Sequence, residues 1–222
     1  MMNRTMKLLL LSDIFVLTGF GLIQPILAIY INDGGVSGGT MLTAGMASAL
    51  FMLTKSLVQL PFGHYVDNHA GKERWLILGT LLMASVPIIY LSANSIYQIY
   101  LAEVIYGLGS GLAYPTWLGL WSVNLDQGRE SFQWSIYHTS TGMGTAATGA
   151  AGAAVASQVG FSTTFLLAGL LCIVGCLVLL VLERRGARVA EDLGGEARFR
   201  RKGMGFFLSR LGDLGQKASS SC

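Results

Sequence analysis

Residues 61–75 read PFGHYVDNHAGKERW, a polar stretch between two long apolar runs. It contains an aspartate, a glutamate, a lysine, an arginine and two histidines, whereas the chain of 222 residues is 52% hydrophobic and only 12% charged. Soluble domains carry about twice that charged fraction. Many of the 29 glycines lie inside the apolar runs, which is typical of transmembrane helices, where small residues let neighbouring helices approach closely. The sequence therefore predicts an integral membrane protein in which this stretch is a loop.

Six apolar stretches, including the two that flank this loop, are long enough to span a hydrocarbon layer ~30 Å thick. We therefore expect an all-α integral membrane protein, with a bundle of six transmembrane helices over residues 1–183. Residues 184–222 are richer in basic side chains. We expect them to form a cytoplasmic tail, either the start of a linker between two halves or an amphipathic helix on the membrane surface. The six stretches are 7–31, 40–62, 75–93, 97–122, 132–156 and 161–182.

Lysine and arginine lie in alternate connections between these stretches. Arg4 and Lys7 precede the first stretch, and Lys72 and Arg74 follow the second. Basic residues also follow the fourth and sixth stretches, whereas the other three connections contain none. Cytoplasmic loops of membrane proteins carry the excess of lysine and arginine. We therefore expect both termini in the cytoplasm, and the protein in a bacterial-type inner membrane or plasma membrane.

The first and fourth stretches share a sequence pattern. Residues 11–25 read LSDIFVLTGFGLIQP and residues 101–115 read LAEVIYGLGSGLAYP, so an acid, two glycines and a proline recur 90 positions apart. Because three helices separate the two copies, the second crosses the membrane in the opposite sense. We expect two inverted three-helix repeats, a plan found in secondary transporters, with Asp13 and Glu103 at equivalent positions.

The loop at 61–75 resembles a family signature. Its glycine-x-x-x-aspartate, followed by glycine and a basic cluster, resembles the helix 2–helix 3 loop of the major facilitator superfamily. The segments GFGLIQP at 19–25 and GLGSGLAYP at 107–115 are also similar to that family. The resemblance implies half of a major facilitator fold, since the family usually has twelve helices. It also implies that the loop is a latch that stabilises the outward-open state. The matching residues are Gly63, Asp67, Gly71, Lys72 and Arg74.

Three positions depart from the family pattern. Three residues rather than two separate Asp67 from Gly71. Glu103 precedes Gly107 in the fourth stretch, where the family often has an arginine. In the glycine-rich fifth stretch, Gly149 stands where the exporters of the family have a proline.

Asp13, Lys55 and Glu103 are the ionisable residues well inside the predicted helices. Each would cost a few kcal/mol if it faced lipid, so each is expected to face protein or water. We predict that these three residues couple and carry transport, although Asp13 and Lys55 could instead pair with each other. Helices 1, 2, 4 and 5 have polar stripes, which either line a path or form hydrogen bonds between helices. The predicted cavity-lining residues are Gln24, Gln59, Ser110, Tyr114, Trp117, Gln133, Tyr137 and Ser140.

A secondary transporter that moves a small solute by alternating access agrees best with these patterns. Protonation of Asp13 or Glu103 would couple transport to protons, and the glycine-rich fifth helix favours export slightly. The polar face requires a second six-helix half or a homodimer, and Gly144 should let the helices approach closely. The residues expected at or near this contact are Ser48, Lys55, Gln59, Tyr137 and Ser140. The alternative is a truncated half-transporter or a non-transporting membrane subunit.

A membrane protease is the other class of function to consider. Rhomboid proteases need a serine and a histidine, and Ser110 lies in a run, GLGSGL, that invites the comparison. However, Leu108 rather than glycine lies two residues before Ser110, and the sixth stretch contains no histidine. We expect no enzyme, no cofactor or metal, and no nucleic-acid partner. The expected partners are the lipid bilayer, protons and the solute.

Overall fold

The computed structural model describes residues 2–69 and 71–183 of the chain, and this part is helical throughout. The predicted basic tail at 184–222 lies outside the described residues. Each predicted stretch corresponds to one helix, and the helices extend beyond the predicted ends by at most five residues. The helices in the described part are α1 (Arg4–Asn32), α2 (Met41–Asp67), α3 (Lys72–Ser92), α4 (Ile96–Ser122), α5 (Glu130–Gln158) and α6 (Phe161–Glu183).

Local side-chain chemistry fixes where several helices begin. The Asn3 side chain accepts a hydrogen bond from the backbone N–H of Met6 at the start of α1. At the start of α2, Thr40 and Thr43 each accept a hydrogen bond from the other's backbone N–H, which satisfies two donors that the helix itself leaves free. Ser95 forms the same kind of capping box at the start of α4.

Four of the helices in the described part are long and apolar enough to cross a membrane: α1, α2, α3 and α6. Helices α4 and α5 are as long, but they carry more glycine, serine, threonine, tyrosine and tryptophan. These polar and small residues lower the mean hydropathy of α4 and α5. They also supply most of the polar side chains that face the interior of the bundle.

Helix α4 packs against α2 and α3, and α1 packs against α5. Glycines bring α3 and α4 into backbone contact. A Cβ atom on Gly79 would lie 2.6 Å from the carbonyl oxygen of Gly109, and one on Gly109 would lie 2.7 Å from that of Gly79. Helices α1 and α6 also approach closely, because a Cβ on Gly19 would lie 2.9 Å from the carbonyl oxygen of Ala168. Small residues thus set the spacing of both pairs.

The helix ends and these contacts recur 90 positions along the chain. Adding 90 to the bounds of α1, α2 and α3 gives those of α4, α5 and α6 to within two residues. In the α1–α5 pair, Gly21 lies against Thr145 and Thr148. In the α4–α2 pair, Gly111 lies against Lys55 and Val58. Gly111 lies 90 positions after Gly21, and Thr145 and Thr148 lie 90 positions after Lys55 and Val58. The α1–α5 pair and the α4–α2 pair therefore make matching contacts.

Hydrogen bonds join α1 to α4 at both ends of the bundle. At one end, Asn3 Nδ2 donates to Asn124 Oδ1 over 2.7 Å. At the other end, the connection after α1 pairs with the connection before α4: the Ser37 N–H donates to the Asn94 oxygen, and the Ile96 N–H donates to the Ser37 oxygen. The start of α1 and the end of α4 therefore lie at the same end of the bundle, and the two helices run in opposite directions.

Candidate functional site

A cavity of about 290 Å³ lies in the interior of the bundle, and all six helices contribute to its wall. Helices α3 and α6 supply mostly apolar side chains, among them Leu76, Met83 and Leu179. Apart from Thr80 on α3, the charged and hydrogen-bonding side chains come from α1, α2, α4 and α5. Of the eleven residues that we predicted to couple transport or line a path, seven lie here: Asp13, Gln24, Lys55, Ser110, Tyr114, Trp117 and Tyr137.

Asp13 is held in the cavity wall by a residue of another helix. The hydroxyl of Tyr137 on α5 donates a 2.5 Å hydrogen bond to Asp13 Oδ2 on α1. Tyr137 itself is 8% exposed. A carboxylate away from water needs such donors, because an unpaired buried charge costs several kcal/mol. The bond therefore fixes where this carboxylate points.

Lys55 reaches the same cavity from α2, but its neighbours are aromatic rings. Its Nζ atom lies 5.0 Å from the centre of the Tyr114 ring and 5.9 Å from that of Phe51. These are cation–π distances, at which the faces of the rings partly stabilise the ammonium group. Within the described part of the chain, no ion pair joins Lys55 to Asp13. The pairing that we considered for these two residues is thus not formed, although both line one cavity.

Tryptophan and tyrosine rings surround one side of this cavity. Trp117 stacks on Trp121, with ring centres 5.0 Å apart, and packs against Tyr137 at 4.5 Å. The indole N–H groups of Trp117 and Trp121 are buried, and among the described residues they have no hydrogen-bond partner. Beyond Trp117 the wall continues into an open groove that includes Trp134 and His138. His138 stacks on Trp134 at the edge of this groove, with ring centres 5.7 Å apart.

Glu103 lies in a second cavity, of about 310 Å³. The hydroxyl of Tyr90 on α3 donates a 2.8 Å hydrogen bond to Glu103 Oε1 on α4. Both side chains are almost completely buried. Asp13 lies near the start of α1 and Glu103 near the start of α4, so the two acids lie toward opposite ends of the bundle.

A stack of three aromatic rings separates the two cavities. The ring of Tyr106 on α4 lies between Phe20 on α1 and Phe51 on α2, with centre distances of 4.1 and 4.2 Å and nearly parallel planes. Tyr106 and Phe51 line both cavities, as does Gln24. The stack therefore forms the wall that the two cavities share.

Three of the predicted cavity-lining residues lie elsewhere. The Gln133 amide exchanges two hydrogen bonds with Asp126, accepting from its backbone N–H and donating to its carboxylate, so it fastens the α4–α5 connection. Gln59 and Ser140 are half-buried and belong to none of the cavities described above. Gly144 also differs from expectation. It lies against Thr18 of α1, so the close approach that it allows is within this bundle.

The residues of the predicted latch lie together at the α2–α3 connection. Lys72 Nζ is 3.9 Å from Asp67 Oδ1, and the Asp67 side chain is 75% exposed. Gly71 precedes α3 with φ +79°, a conformation that glycine adopts without strain. Arg74 lies in the first turn of α3.

The latch residues also contact α4. A Cβ atom on Gly63 would lie 3.5 Å from the Pro115 side chain, so this glycine faces α4 at ordinary packing distance. A Cβ on Gly119 would lie 3.7 Å from Lys72 Nζ, which places the ammonium group beside the last turns of α4. A cation is stabilised there by the partial negative charge at the C-terminal end of the helix.

Sequence reasoning did not identify the partner of either acid. Tyr90 was overlooked because it is an isolated tyrosine near the end of an apolar helix. One signal could have found it: α3 and α4 form a hairpin with a short connection, so the long side chain of a tyrosine near the end of α3 could reach an acid two turns into α4. The ring stack of Phe20, Tyr106 and Phe51 has no equivalent signal, because it joins three helices that are distant in sequence.

The sequence profile of the Major Facilitator Superfamily matches residues 9–212, most of the chain. The chain belongs to this superfamily. The family predicted from the loop at 61–75 is thereby confirmed. Membership agrees with the helical fold, since proteins of the major facilitator superfamily are integral membrane transporters.

Similar proteins in the superfamily carry names that refer to drug resistance. The chain is 26% identical to quinolone resistance protein NorA of Staphylococcus aureus over 119 residues, which cover 54% of this chain and 30% of NorA. It is 30% identical to multidrug resistance protein 2 of Bacillus subtilis over 115 residues, covering 51% of this chain and 28% of that protein. The chain thus matches less than a third of the length of these relatives.

Solved transporter structures share the fold. The POT family transporter PepTSo superposes with a TM-score of 0.72 at 16% identity, covering 82% of this chain and 38% of that one. An auto-inhibited POT family peptide transporter superposes with a TM-score of 0.66 at 15% identity, covering 82% and 37%. At these identities the likeness concerns the fold alone. It extends over well under half of each transporter.

Proposed function

We propose that this chain forms one half of a secondary active transporter, which moves a small solute by alternating access coupled to protons. One observation carries the proposal: two carboxylates, Asp13 and Glu103, line separate cavities, and the Tyr106 ring stack lies between them. Ionisable groups inside a membrane bundle mark proton or substrate paths. Neutralising one of them changes which packing is favoured and so can shift a conformational equilibrium.

Export is the direction that we propose. The glycine-rich fifth helix favours it slightly, and the names of the similar drug-resistance proteins from S. aureus and B. subtilis agree with it. Resistance to a toxic compound is obtained by moving that compound out of the cell. We therefore place the protein in a plasma or bacterial inner membrane, with both termini in the cytoplasm.

The orientation has structural support. The Asn3–Asn124 hydrogen bond brings the N-terminus to the α4–α5 connection, so Arg4, Lys7 and Arg129 lie at one end of the bundle. Lys72 and Arg74, at the start of α3, lie at this same end. The positive-inside rule assigns that end to the cytoplasm.

Two inverted three-helix repeats are part of the proposal. The matching contacts of Gly21 and Gly111, and the helix ends shifted by 90 positions, support an internal two-fold relation between α1–α3 and α4–α6. Under this relation Asp13 corresponds to Glu103. Transporters built from such repeats place their sites where the repeats meet.

A second six-helix half is the partner that we propose, with a second copy of this chain as the alternative. Only Ala44, Ala47 and Val66 of α2 are buried, and the exposed fraction of Leu57 is 67%. The similar transporters of solved structure are more than twice as long as the part that this chain matches. Both observations favour a partner that covers α2 and α5, near Ser48, Gln59 and Ser140.

Proton coupling is tested in membrane vesicles from cells that express the protein together with its second half, by adding a fluorescent quinolone, imposing a pH gradient and comparing two variants. Glu103→Gln keeps the volume of the side chain but cannot ionise, and we expect it to abolish gradient-driven movement of the quinolone. Asp33→Asn makes the same chemical change in an exposed connection and should behave like the wild type. Equal gradient-driven transport by the wild type and Glu103→Gln would exclude Glu103 from coupling.

The need for a second half is tested by cysteine cross-linking at Ser48 and Ser140 in native membranes, with the three natural cysteines replaced. We expect cross-links to a second copy or to a second half. Transport by a chain that remains monomeric and uncross-linked would refute the two-half requirement. A chain that inserts and folds but moves no solute with any partner would favour the alternative of a non-transporting subunit.

A further inference from the structure

We propose that the cavity shared by Asp13 and Lys55 binds an amphoteric solute, which carries an ammonium group and a carboxylate on one small aromatic frame. In this assignment Asp13 takes the ammonium group and Lys55 takes the carboxylate. The inference rests on the proposed transport function and names the class of substrate. It depends on the neighbours that hold Asp13 and Lys55 in the cavity wall.

Asp13 and Lys55 have opposite charges and line one cavity, yet each is held by its own neighbours. The Tyr137 hydroxyl occupies one oxygen of Asp13, Oδ2. The rings of Tyr114 and Phe51 lie beside the Lys55 ammonium group. A ring face is not an oxygen or nitrogen acceptor, so this contact leaves the three N–H donors available for a ligand. Each charged group therefore keeps the capacity for a charge-assisted hydrogen bond to a ligand.

The arrangement favours a ligand with both charges. A ligand with an ammonium group alone would satisfy Asp13 and leave Lys55 without a partner in a place from which water is displaced. A ligand with a carboxylate alone would satisfy Lys55 and leave Asp13 without a partner. Since a charge that loses water without gaining a partner is costly, a ligand carrying both groups gains more than either single-charge analogue.

The other walls favour an aromatic frame. Trp117 and Tyr114 present large ring surfaces to the cavity. The volume of about 290 Å³ is at the small end of ligand sites, which agrees with a single-ring compound.

The second cavity provides an internal comparison. It contains the carboxylate of Glu103, but none of the residues that line it is a lysine or an arginine. It therefore has no group that would select a carboxylate. Of these two cavities, the one that contains Asp13 has both an acidic and a basic side chain in its wall.

Three matched probes test the assignment. The first, 4-(aminomethyl)benzoic acid, carries both charges. Its methyl ester keeps only the ammonium group, and its N-acetyl derivative keeps only the carboxylate. Binding of each probe to the full chain in lipid nanodiscs is measured by isothermal titration calorimetry. We expect the amphoteric probe to bind at least tenfold more tightly than either derivative.

Substitutions at Lys55 and Asp13 show which end of the amphoteric probe each residue binds. Lys55→Met should abolish the preference for the amphoteric probe over the ester, and the ester should bind more tightly than to the wild type, because it no longer leaves a lysine without a partner. Asp13→Asn should likewise abolish the preference over the N-acetyl derivative and strengthen binding of that derivative, for the same reason. The exchanged pair Asp13→Lys with Lys55→Asp should recover part of the preference. Lys7→Met, an exposed lysine outside the cavity, is the control and should match the wild type.

Equal affinities for the three probes would overturn the assignment, and so would a Lys55→Met variant that weakens all three alike. The second result would mean that the lysine is only structural. Quinolone transport by a protein without amphoteric preference would refute this inference and leave the proposed transport function in place. Amphoteric preference in a protein that moves no solute would support the site and refute the transport function.

Discussion

The hydroxyl of Tyr90 donates a 2.8 Å hydrogen bond to Glu103 across the α3–α4 hairpin, and the two side chains are 2% and 4% exposed. A carboxyl group so far from water depends on its donors, because leaving a buried polar group unsatisfied costs more than the hydrogen bond contributes on average. The proposed coupling residue is thus positioned by a residue of the neighbouring helix.

Tyr90→Phe removes this donor and should lower the thermal unfolding midpoint of the protein in detergent. The expected cost is about 1–3 kcal/mol, since Glu103 is left buried without the bond. Tyr97→Phe is the control, because Tyr97 is 77% exposed and its hydroxyl can reach solvent. Combining Tyr90→Phe with Glu103→Leu should recover stability, because both partners are then apolar. A double variant as unstable as Tyr90→Phe would contradict this explanation.

Gly79→Ala should destabilise the α3–α4 contact. The added Cβ would lie 2.6 Å from the Gly109 carbonyl oxygen and 2.7 Å from the Ala113 nitrogen, and backbone atoms cannot move aside as a flexible side chain can. Overpacking of this kind costs about 1–3 kcal/mol. In Gly45→Ala the new methyl group meets no atom, so the midpoint should stay or rise slightly as helix propensity improves. The prediction fails if the two variants unfold at the same temperature.

Tyr106→Ala should open the wall between the two cavities. Removing the central ring of the stack creates a void that joins the Asp13 and Glu103 sides, and we expect protons to leak through reconstituted vesicles under an imposed pH gradient. Stability should also fall by about 3–5 kcal/mol, as for other large aromatic truncations. Tyr106→Phe keeps the ring and should remain tight. Vesicles with Tyr106→Ala that hold the gradient as well as the wild type would show that the ring is not the barrier.

The α2–α3 connection should be more sensitive at Gly71 than at its ion pair. Gly71→Ala places a side chain at φ +79°, at a cost of about 1–2 kcal/mol, whereas Gly71→Asn should cost less because asparagine tolerates this conformation. Lys72→Gln should change stability by less than about 1 kcal/mol, since the pair with Asp67 is 3.9 Å long and the Asp67 side chain is 75% exposed. Urea unfolding of the three variants measures how much stability each of them loses. A larger loss for Lys72→Gln than for Gly71→Ala would contradict the prediction.

The sequence was sufficient to predict the helices, because a long apolar run marks each of them independently. It also placed Asp13 and Lys55 on inward faces, since a charge facing lipid is costly. It could not predict which helix each face meets. Gly144 was assigned to a contact with a partner, but it packs on α1 of the same bundle. Helical periodicity gives the direction of a side chain and not the identity of its neighbour.

Depth along a helix is the second quantity that periodicity does not provide. Gln133 shares a helix face with Tyr137, and both were predicted to line a path. Only Tyr137 reaches a carboxylate in the cavity. Gln133 lies one turn nearer the start of α5. The backbone of the connection before α5 needs a hydrogen-bond acceptor there, and the Gln133 amide oxygen provides it. The polar stripe was read correctly as a face, but its two ends have different roles.

The hydrogen bonds that join α1 to α4 at both ends of the bundle restrict how the protein could move. Asn3 with Asn124 at one end, and Ser37 with Asn94 and Ile96 at the other, prevent the two antiparallel helices from sliding or splaying without breaking a bond. The Tyr106 stack holds α1, α2 and α4 together between these two points. If the proposed second half covers α2 and α5, a large rearrangement would therefore leave these three helices together, and the bundle would rotate as one rigid body against that half.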